Sequence, residues 1–264
     1  MSTVTREGGS AQQRWAAQLE AWAIPQAILD NAPESPWGFP PSLFAFSEQE
    51  ETLTHRRALE GLPRSGSVLD VGAGGGATSL ALARRAAWIV AVDESEAMLE
   101  SFAREAERLG VGHEEILGSW PEVSPRTPHA DVVVCGNVFY NAPLLAPFAL
   151  ALGRHARVRV VAEVTARHPQ VALNDFWRHF HGLDRPAGPR CEDALEVLVE
   201  AGIDARLERW RRPLPDRSQT RQDLVAFVRR RLCLHSERDP EIDELLGERA
   251  VLQPGDMTTL WWDV

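Results

Sequence analysis

The sequence predicts an α/β fold built on βαβ units, and three observations lead there. The apolar run Ser67-Val68-Leu69-Asp70-Val71 opens into Gly72-Ala73-Gly74-Gly75-Gly76-Ala77, and a helical pattern follows over 78–85 with Leu80, Leu82 and Ala83 apolar. Strand, glycine turn and helix make the first half of a nucleotide-binding βαβ unit. A second run, Trp88-Ile89-Val90-Ala91-Val92, ends at Asp93. That acid stands about twenty residues past the first glycine, where an acid usually holds ribose hydroxyls. Strand-like and helical stretches then alternate along the rest of the chain.

The glycines serve a backbone that turns sharply and lies against a ligand with no Cβ in the way. A carboxylate at Asp93 suits a ribose because it accepts hydrogen bonds from both hydroxyls of a cis-diol. The loop also satisfies G-x-G-x-x-A, the dinucleotide fingerprint, so the glycines alone do not choose the nucleotide. Asp70 is more informative. A pyrophosphate on the following helix would be repelled by a carboxylate at the end of the first strand, whereas a cationic ligand would be attracted.

On these residues the sequence resembles the class I S-adenosylmethionine-dependent methyltransferases. Val68-Leu69-Asp70-Val71-Gly72-Ala73-Gly74-Gly75-Gly76 is similar to their first motif, and Val90-Ala91-Val92-Asp93-Glu94-Ser95-Glu96-Ala97-Met98-Leu99 to their second. The likeness is specific over about residues 67–164; the later part is similar only in style to bacterial methyltransferases. It implies a Rossmann-like, mostly parallel seven-stranded sheet with helices on both faces and strand seven antiparallel. It implies S-adenosyl-L-methionine as cofactor and S-adenosyl-L-homocysteine as product. Asp70 is expected to favour the cationic methionine end and Asp93 to hold the ribose. Gly72, Ala73, Gly74 and Gly75 are expected to give close backbone approach, with Glu94 and Met98 beside them. In relatives an acid after strand three often reads the adenine amine; here Ser119 stands in its place, with Trp120 next to it as a candidate for the adenine face.

Taken in order, residues 11–30 read as an amphipathic helix with Trp15, Leu19, Trp22 and Ala23 near helical spacing and Pro25 as a break. Residues 33–41 are proline-rich. Ser47-Glu48-Gln49-Glu50 has the form of a capping box opening a helix to about Gly61. Residues 1–61 are therefore expected to form an N-terminal helical cap on a Rossmann-like domain at 62–264. Residues 95–109 form a helix stopped by Gly110, and Glu115-Ile116-Leu117 a short third strand. Ala130-Asp131-Val132-Val133-Val134-Cys135-Gly136 reads as a buried fourth strand. At its carboxyl end, where ligands of open α/β sheets bind, stand Asn137, Val138, Phe139, Tyr140 and Asn141. Asn137 and Val138 are expected beside the cofactor, Tyr140 and Asn141 beside the substrate. A helix at 142–155 and a fifth strand at 157–164 follow. The aromatic and basic stretch 173–181 offers Trp177 and His181 as substrate-lining residues. A helix at 192–201, a sixth strand at 204–212 and a closing strand at 259–264 complete the domain, with a helical insertion at about 213–257.

Composition bounds the function. A chain of 264 residues makes one large domain or a domain with a cap. Residues 1–10 lack a basic n-region and an apolar h-region, and no apolar run is long enough to span a bilayer. Three scattered cysteines read as reduced thiols, so a cytoplasmic setting is expected. There is no lysine, which excludes a P-loop lysine, a Schiff base and the lysine of Tyr-x-x-x-Lys dehydrogenases. The formal net charge of −10 argues against nucleic acid as the partner. The arginine-rich stretch 206–238 reads as a solvated face paired with the excess acids.

Methyl transfer from a sulfonium is a direct displacement in which the protein positions and desolvates the reactants, so no fixed triad is expected. Candidate bases are Glu163, His168, His179 and His181. His113-Glu114-Glu115 lacks a convincing metal-ligand pattern, and no metal is expected. The reading is a methyltransferase acting on a small-molecule acceptor. The rivals are an NAD(P)-dependent oxidoreductase, motivated by G-x-G-x-x-A, and a non-catalytic protein that kept the cofactor site.

Overall fold

The apolar runs form the strands of one seven-stranded sheet in the order β3-β2-β1-β4-β5-β7-β6. The computed structural model describes residues 9–37, 51–212, 220–249 and 255–264. The strands are β1 Gly66–Val71, β2 Ala86–Asp93, β3 Gly112–Leu117, β4 Ala130–Gly136, β5 Ala156–Thr165, β6 Arg206–Arg211 and β7 Asp256–Asp263. Neighbours from β3 to β5 pair in parallel, while β7 runs antiparallel between β5 and β6. The expected Rossmann-like architecture with a reversed seventh strand is present.

The period of two along each strand divides the core. Leu69, Val71, Val133, Cys135, Val160 and Ala162 face one side, with helices α1 Ala11–Glu20, α5 Leu145–His155 and α7 Cys191–Glu200 over them. Val68, Val132, Val134 and Val161 face the other, covered by α3 Leu53–Gly61 and α4 Glu96–Leu109. Burial on both faces explains why β4 reads as an unbroken apolar run. A third cluster joins Leu173, Phe176 and Trp177 to Leu224, Val228, Ile242 and Leu246. It packs α6 Asn174–His181 against α8 Arg221–Arg231 and α9 Asp239–Leu246, the two helices of the insertion, with Ile24 ahead of α2 Gln26–Leu29.

Local signals set most boundaries. Ser95 caps α4 by accepting the Met98 N–H, and Gly110 ends the helix at φ +68°. Thr220 and Asp223 form the capping box of α8. The N-terminal helix stops at Glu20 and a short turn of helix restarts after Pro25. Ser47-Glu48-Gln49-Glu50 lies outside the described residues; within them α3 is opened by a capping box of Thr52 and His55.

One expectation fails. The helix expected over 78–85 is a single 3-10 turn, Leu80–Leu82, set among other turns. Since β2 begins at Ala86, only residues 77–85 remain to carry the chain back along β1. Six strand residues span about 20 Å, and nine residues of α-helix rise only about 13.5 Å. The segment is drawn out into the longer rise of 3-10 and turn geometry.

The N-terminal helix is tied to the domain through Trp15. Its ring is fully buried and stacks on Tyr140 at 5.6 Å, and its Nε1 donates to the Ala142 carbonyl at 2.9 Å. Trp15→Phe keeps most of the packing but orphans a buried carbonyl. The expected loss is about 1–3 kcal/mol in urea unfolding; an unchanged midpoint would contradict the docking of α1.

Candidate functional site

The glycine loop emerges at the carboxyl ends of β1 and β4 and is fixed by backbone contacts. The Gly72 and Ala73 N–H groups donate to the Val92 carbonyl at 2.8 and 3.0 Å. Gly72 has φ +71°, and a Cβ built there would lie 2.3 Å from Val138 Cγ2. Gly74, at φ +53°, donates its N–H to Asp93 Oδ2 at 2.8 Å. Asp93 Oδ1 accepts the Ser95 N–H at 2.9 Å. Asp93 thus ties the loop to the start of α4. Each of its oxygens accepts one of these bonds, and an ionised carboxylate has about four acceptor sites, so capacity for a diol remains.

Asp70 ends the same strand that feeds the loop. It is fully buried, and neither carboxylate oxygen has a hydrogen-bond partner. Burial pushes its pKa up to about 7, the nearby charge of Asp93 adds to the rise, and the Ser79 side chain and backbone hold it back in part. A buried carboxylate left without a partner at the ligand edge of the sheet is complementary to a cation.

Beside Asp93, Ser119 Oγ donates to Glu94 Oε1 at 2.5 Å. A carboxylate therefore does stand at the turn after β3, though it comes from the turn after β2. Met98 is half-buried in the first turn of α4. Trp120 lies in the core, edge-on to His155 at 4.9 Å, with its Nε1 donating to the Phe148 carbonyl at 3.3 Å.

At the carboxyl end of β4, Asn137 adopts φ +60°, a conformation that a non-glycine residue takes at some energetic cost and asparagine more readily than most. Its N–H donates to the Glu163 carbonyl at 2.7 Å, and its Nδ2 to Glu163 Oε1 at 3.3 Å. Glu163 is buried, accepts the Thr54 hydroxyl at 2.7 Å and pairs with Arg212. Thr54 also meets Thr259 at 2.8 Å, and Trp210 Nε1 donates to Thr259 Oγ1 at 3.0 Å. Next to Thr54, His55 Nδ1 accepts the Thr52 N–H, which leaves Nε2 as the donor to the Ala77 carbonyl at 3.3 Å. Burial lowers the His55 pKa, against the opposing pull of Glu163. Helix α3 thereby touches both the glycine loop and the end of β5.

The remaining sequence candidates are dispersed. Tyr140 is buried with its hydroxyl donating to the Thr165 carbonyl at 2.8 Å, and Asn141 is exposed. Trp177 is fully buried in the α6–α8–α9 cluster, and His181 on the same helix contacts the Leu232 carbonyl at 2.7 Å. His179 pairs with Glu241 at 2.6 Å. His168 stacks on Trp22 at 4.1 Å, and burial, with a contribution from Arg185, drives its pKa down to about 3. Of the four candidate bases, Glu163 alone is seen here bonded to a residue of the glycine-loop edge, Asn137. Sequence reasoning missed Thr54, His55, Arg212 and Thr259; their sole signal was the place of Glu163 at a strand end. Among the described residues no group of three or more His, Cys, Asp or Glu side chains is arranged to hold a metal ion. No described helix is long and apolar enough to cross a membrane.

Residues 68–158, from β1 to the start of β5, match the family model of a methyltransferase domain. No curated protein matches the chain. A cyclopropane-fatty-acyl-phospholipid synthase-like protein from Lactobacillus casei aligns over 96% of this chain and 100% of its own, with a TM-score of 0.54 and 13% identity. A protein from Galdieria sulphuraria described as a sarcosine dimethylglycine methyltransferase aligns over 80% of this chain and 82% of its own, with a TM-score of 0.52 and 14% identity. At such identities the likeness shows the fold. The glycine loop, Asp93 and Asn137 all fall inside the matched segment, so the part of the chain that carries them is similar to a methyltransferase domain, set in a Rossmann-like fold.

The state of Asp70 is testable. Its folded pKa lies above 3.8, so the folded state keeps a proton that the unfolded chain releases. The stability this contributes is complete below about pH 4 and is lost as pH rises through about 7. Asp70→Asn, which cannot ionise, is expected to gain on the native protein over that window, by up to about 4 kcal/mol. Urea unfolding at pH 4 and pH 8.5 measures it, and a pH-independent difference would show that Asp70 does not titrate in this range.

Proposed function

We propose that the protein is an S-adenosylmethionine-dependent methyltransferase that acts on a small-molecule acceptor. The observation that carries the reading is the unpartnered, buried carboxylate of Asp70 beneath a positive-φ glycine loop that Asp93 brackets from the other side. S-adenosylmethionine, when bound, supplies a methyl group on a sulfonium that a nucleophile displaces directly. The residues present fit that group. Gly72, Ala73, Gly74 and Gly75 offer backbone to the ligand, and Asp93 has acceptor capacity for ribose hydroxyls. Glu94 with Ser119 offers a carboxylate and a hydroxyl where an adenine amine needs an acceptor. Asp70 supplies the negative charge that a sulfonium or ammonium needs and a pyrophosphate does not. Met98 and Val138 give this edge apolar walls. Asn137, bonded to Glu163 at the carboxyl end of β4, belongs with the methionine end.

Both oxygens of Glu163 are already engaged in this arrangement, by Thr54, Asn137 and Arg212, which all donate to it. Its role is to hold Asn137 in its unusual backbone conformation. The acidic net charge of −10 and the pairing of Arg221, Arg229 and Arg238 with nearby acids support a small acceptor over a nucleic acid.

Calorimetric titration with S-adenosylhomocysteine, beside NAD, tests the reading. Binding of the first and not the second is expected, and binding of NAD alone would replace the methyltransferase by an oxidoreductase. Asp93→Ala is expected to weaken S-adenosylhomocysteine binding by about 1.5–3 kcal/mol, from two charge-assisted hydrogen bonds. A further outcome follows from charge. The preference for the cationic S-adenosylmethionine over the uncharged thioether is expected to rise between pH 6 and 8, as Asp70 ionises. In Asp70→Asn the ratio of the two affinities should be flat with pH; a slope retained there would remove Asp70 from the cation site.

A further inference from the structure

We propose that a cavity at the carboxyl end of β5, apart from the glycine loop, binds a small molecule carrying two or more anionic groups, phosphate or carboxylate. The cavity measures about 430 Å³ and is lined by Arg167, Arg190, Arg209 and Arg211 together with Glu192 and Asp256. That volume lies in the range of small-ligand sites.

The fold converges these arginines from three directions. Arg167 follows β5 and meets Arg190, the residue before α7, through an antiparallel backbone bridge. The Cys191 N–H fixes the junction by donating to the Ala166 carbonyl at 3.2 Å. Arg209 and Arg211 alternate on β6 and share the face that meets α7, as the pairing of Arg209 with Glu192 shows. Asp256 stands opposite Arg211 in the β6–β7 register.

Four guanidinium groups around two carboxylates leave an excess of two positive charges, in a chain whose formal net charge is −10. Arg209 is matched by Glu192; Arg167, Arg190 and Arg211 form no ion pair among the described residues. Like charges around one cavity repel, and an anion entering it relieves that repulsion. Guanidinium forks match carboxylate and phosphate oxygens with paired N–H donors. The local excess of positive charge on a strongly acidic chain favours a small anion over RNA, whose long backbone would meet the surrounding negative charge.

The test is calorimetric titration of the full chain with pyrophosphate and, separately, with citrate, in parallel with S-adenosylhomocysteine. Saturable binding of either anion at one site is expected; the phosphate or the carboxylate arm identifies the source. Arg167→Gln and Arg190→Gln should each weaken it at least about tenfold. Asp256→Asn should strengthen it, an effect that a damaged fold would not produce. The inference does not depend on the methyltransferase reading, and unchanged S-adenosylhomocysteine binding in these variants keeps the two separate. Absence of saturable binding by both anions would overturn it. So would affinities unaffected by the arginine substitutions, or tighter binding of a single-stranded oligoribonucleotide.

Discussion

A carboxyl group shut inside the sheet without a hydrogen-bond partner constrains everything around it. Asp70 sits where β1 hands over to the glycine loop, and burial, with the charge of Asp93 added, lifts its pKa to the neutral range. An apolar residue would be easier to bury there. The arrangement is of the kind found where structure gives way to chemistry: local strain tolerated because the surroundings over-determine it. Asp93 is the counterpart. It is a half-exposed acid whose two oxygens are anchored by the Gly74 and Ser95 N–H groups. One acid is held by donors and the other is denied them, so two residues of the same type on adjacent strands present different chemistry to one ligand edge.

The surrounding architecture keeps that edge in place from both faces. Trp15 and Tyr140 stack on one side of the sheet, while Thr54 and His55 reach from α3 on the other to Glu163 and the Ala77 carbonyl. Helices α1 and α3 therefore pack against this edge as well as cover the sheet. Asn137, held at positive φ, is bonded to Glu163, and the next residue, Val138, packs against Gly72 of the loop.

Much of this was legible in the sequence because it rests on local rules. The strand ending in Asp70, the glycine turn, the strand ending in Asp93 and the cap and stop of α4 each depend on residues within a few positions. The 3-10 turn at Leu80–Leu82 was not legible, since apolar spacing over 78–85 fits a helix and says nothing of the length of chain the sheet demands. Nor was the cluster at Glu163, whose partners Thr54, Asn137, Arg212 and Thr259 come from four separate parts of the chain and meet through tertiary packing. Trp177 and His181 read as pocket residues because an aromatic and basic helix has no local mark distinguishing a pocket from a contact with helices that appear forty or more residues later. Arg167 and Arg190 lie far apart in sequence and are joined by one backbone bridge, so their convergence was equally hidden.

The reversed strand has a consequence for how the chain is made. The interior partner of β5 is β7, and β6 pairs with β7 alone. Strands β1 to β5 can assemble once Thr165 has left the ribosome, but the outer side of β5 then stays open until Asp256–Asp263 is synthesised. About ninety residues separate the two, a delay on the order of 5–20 s at ordinary translation rates. Throughout that interval Val160, Val161 and Val164 present an unpaired, apolar strand edge, the kind that invites pairing with another nascent chain. Thus the feature that completes the sheet also makes β5 the point at which synthesis, chaperone capture and aggregation compete.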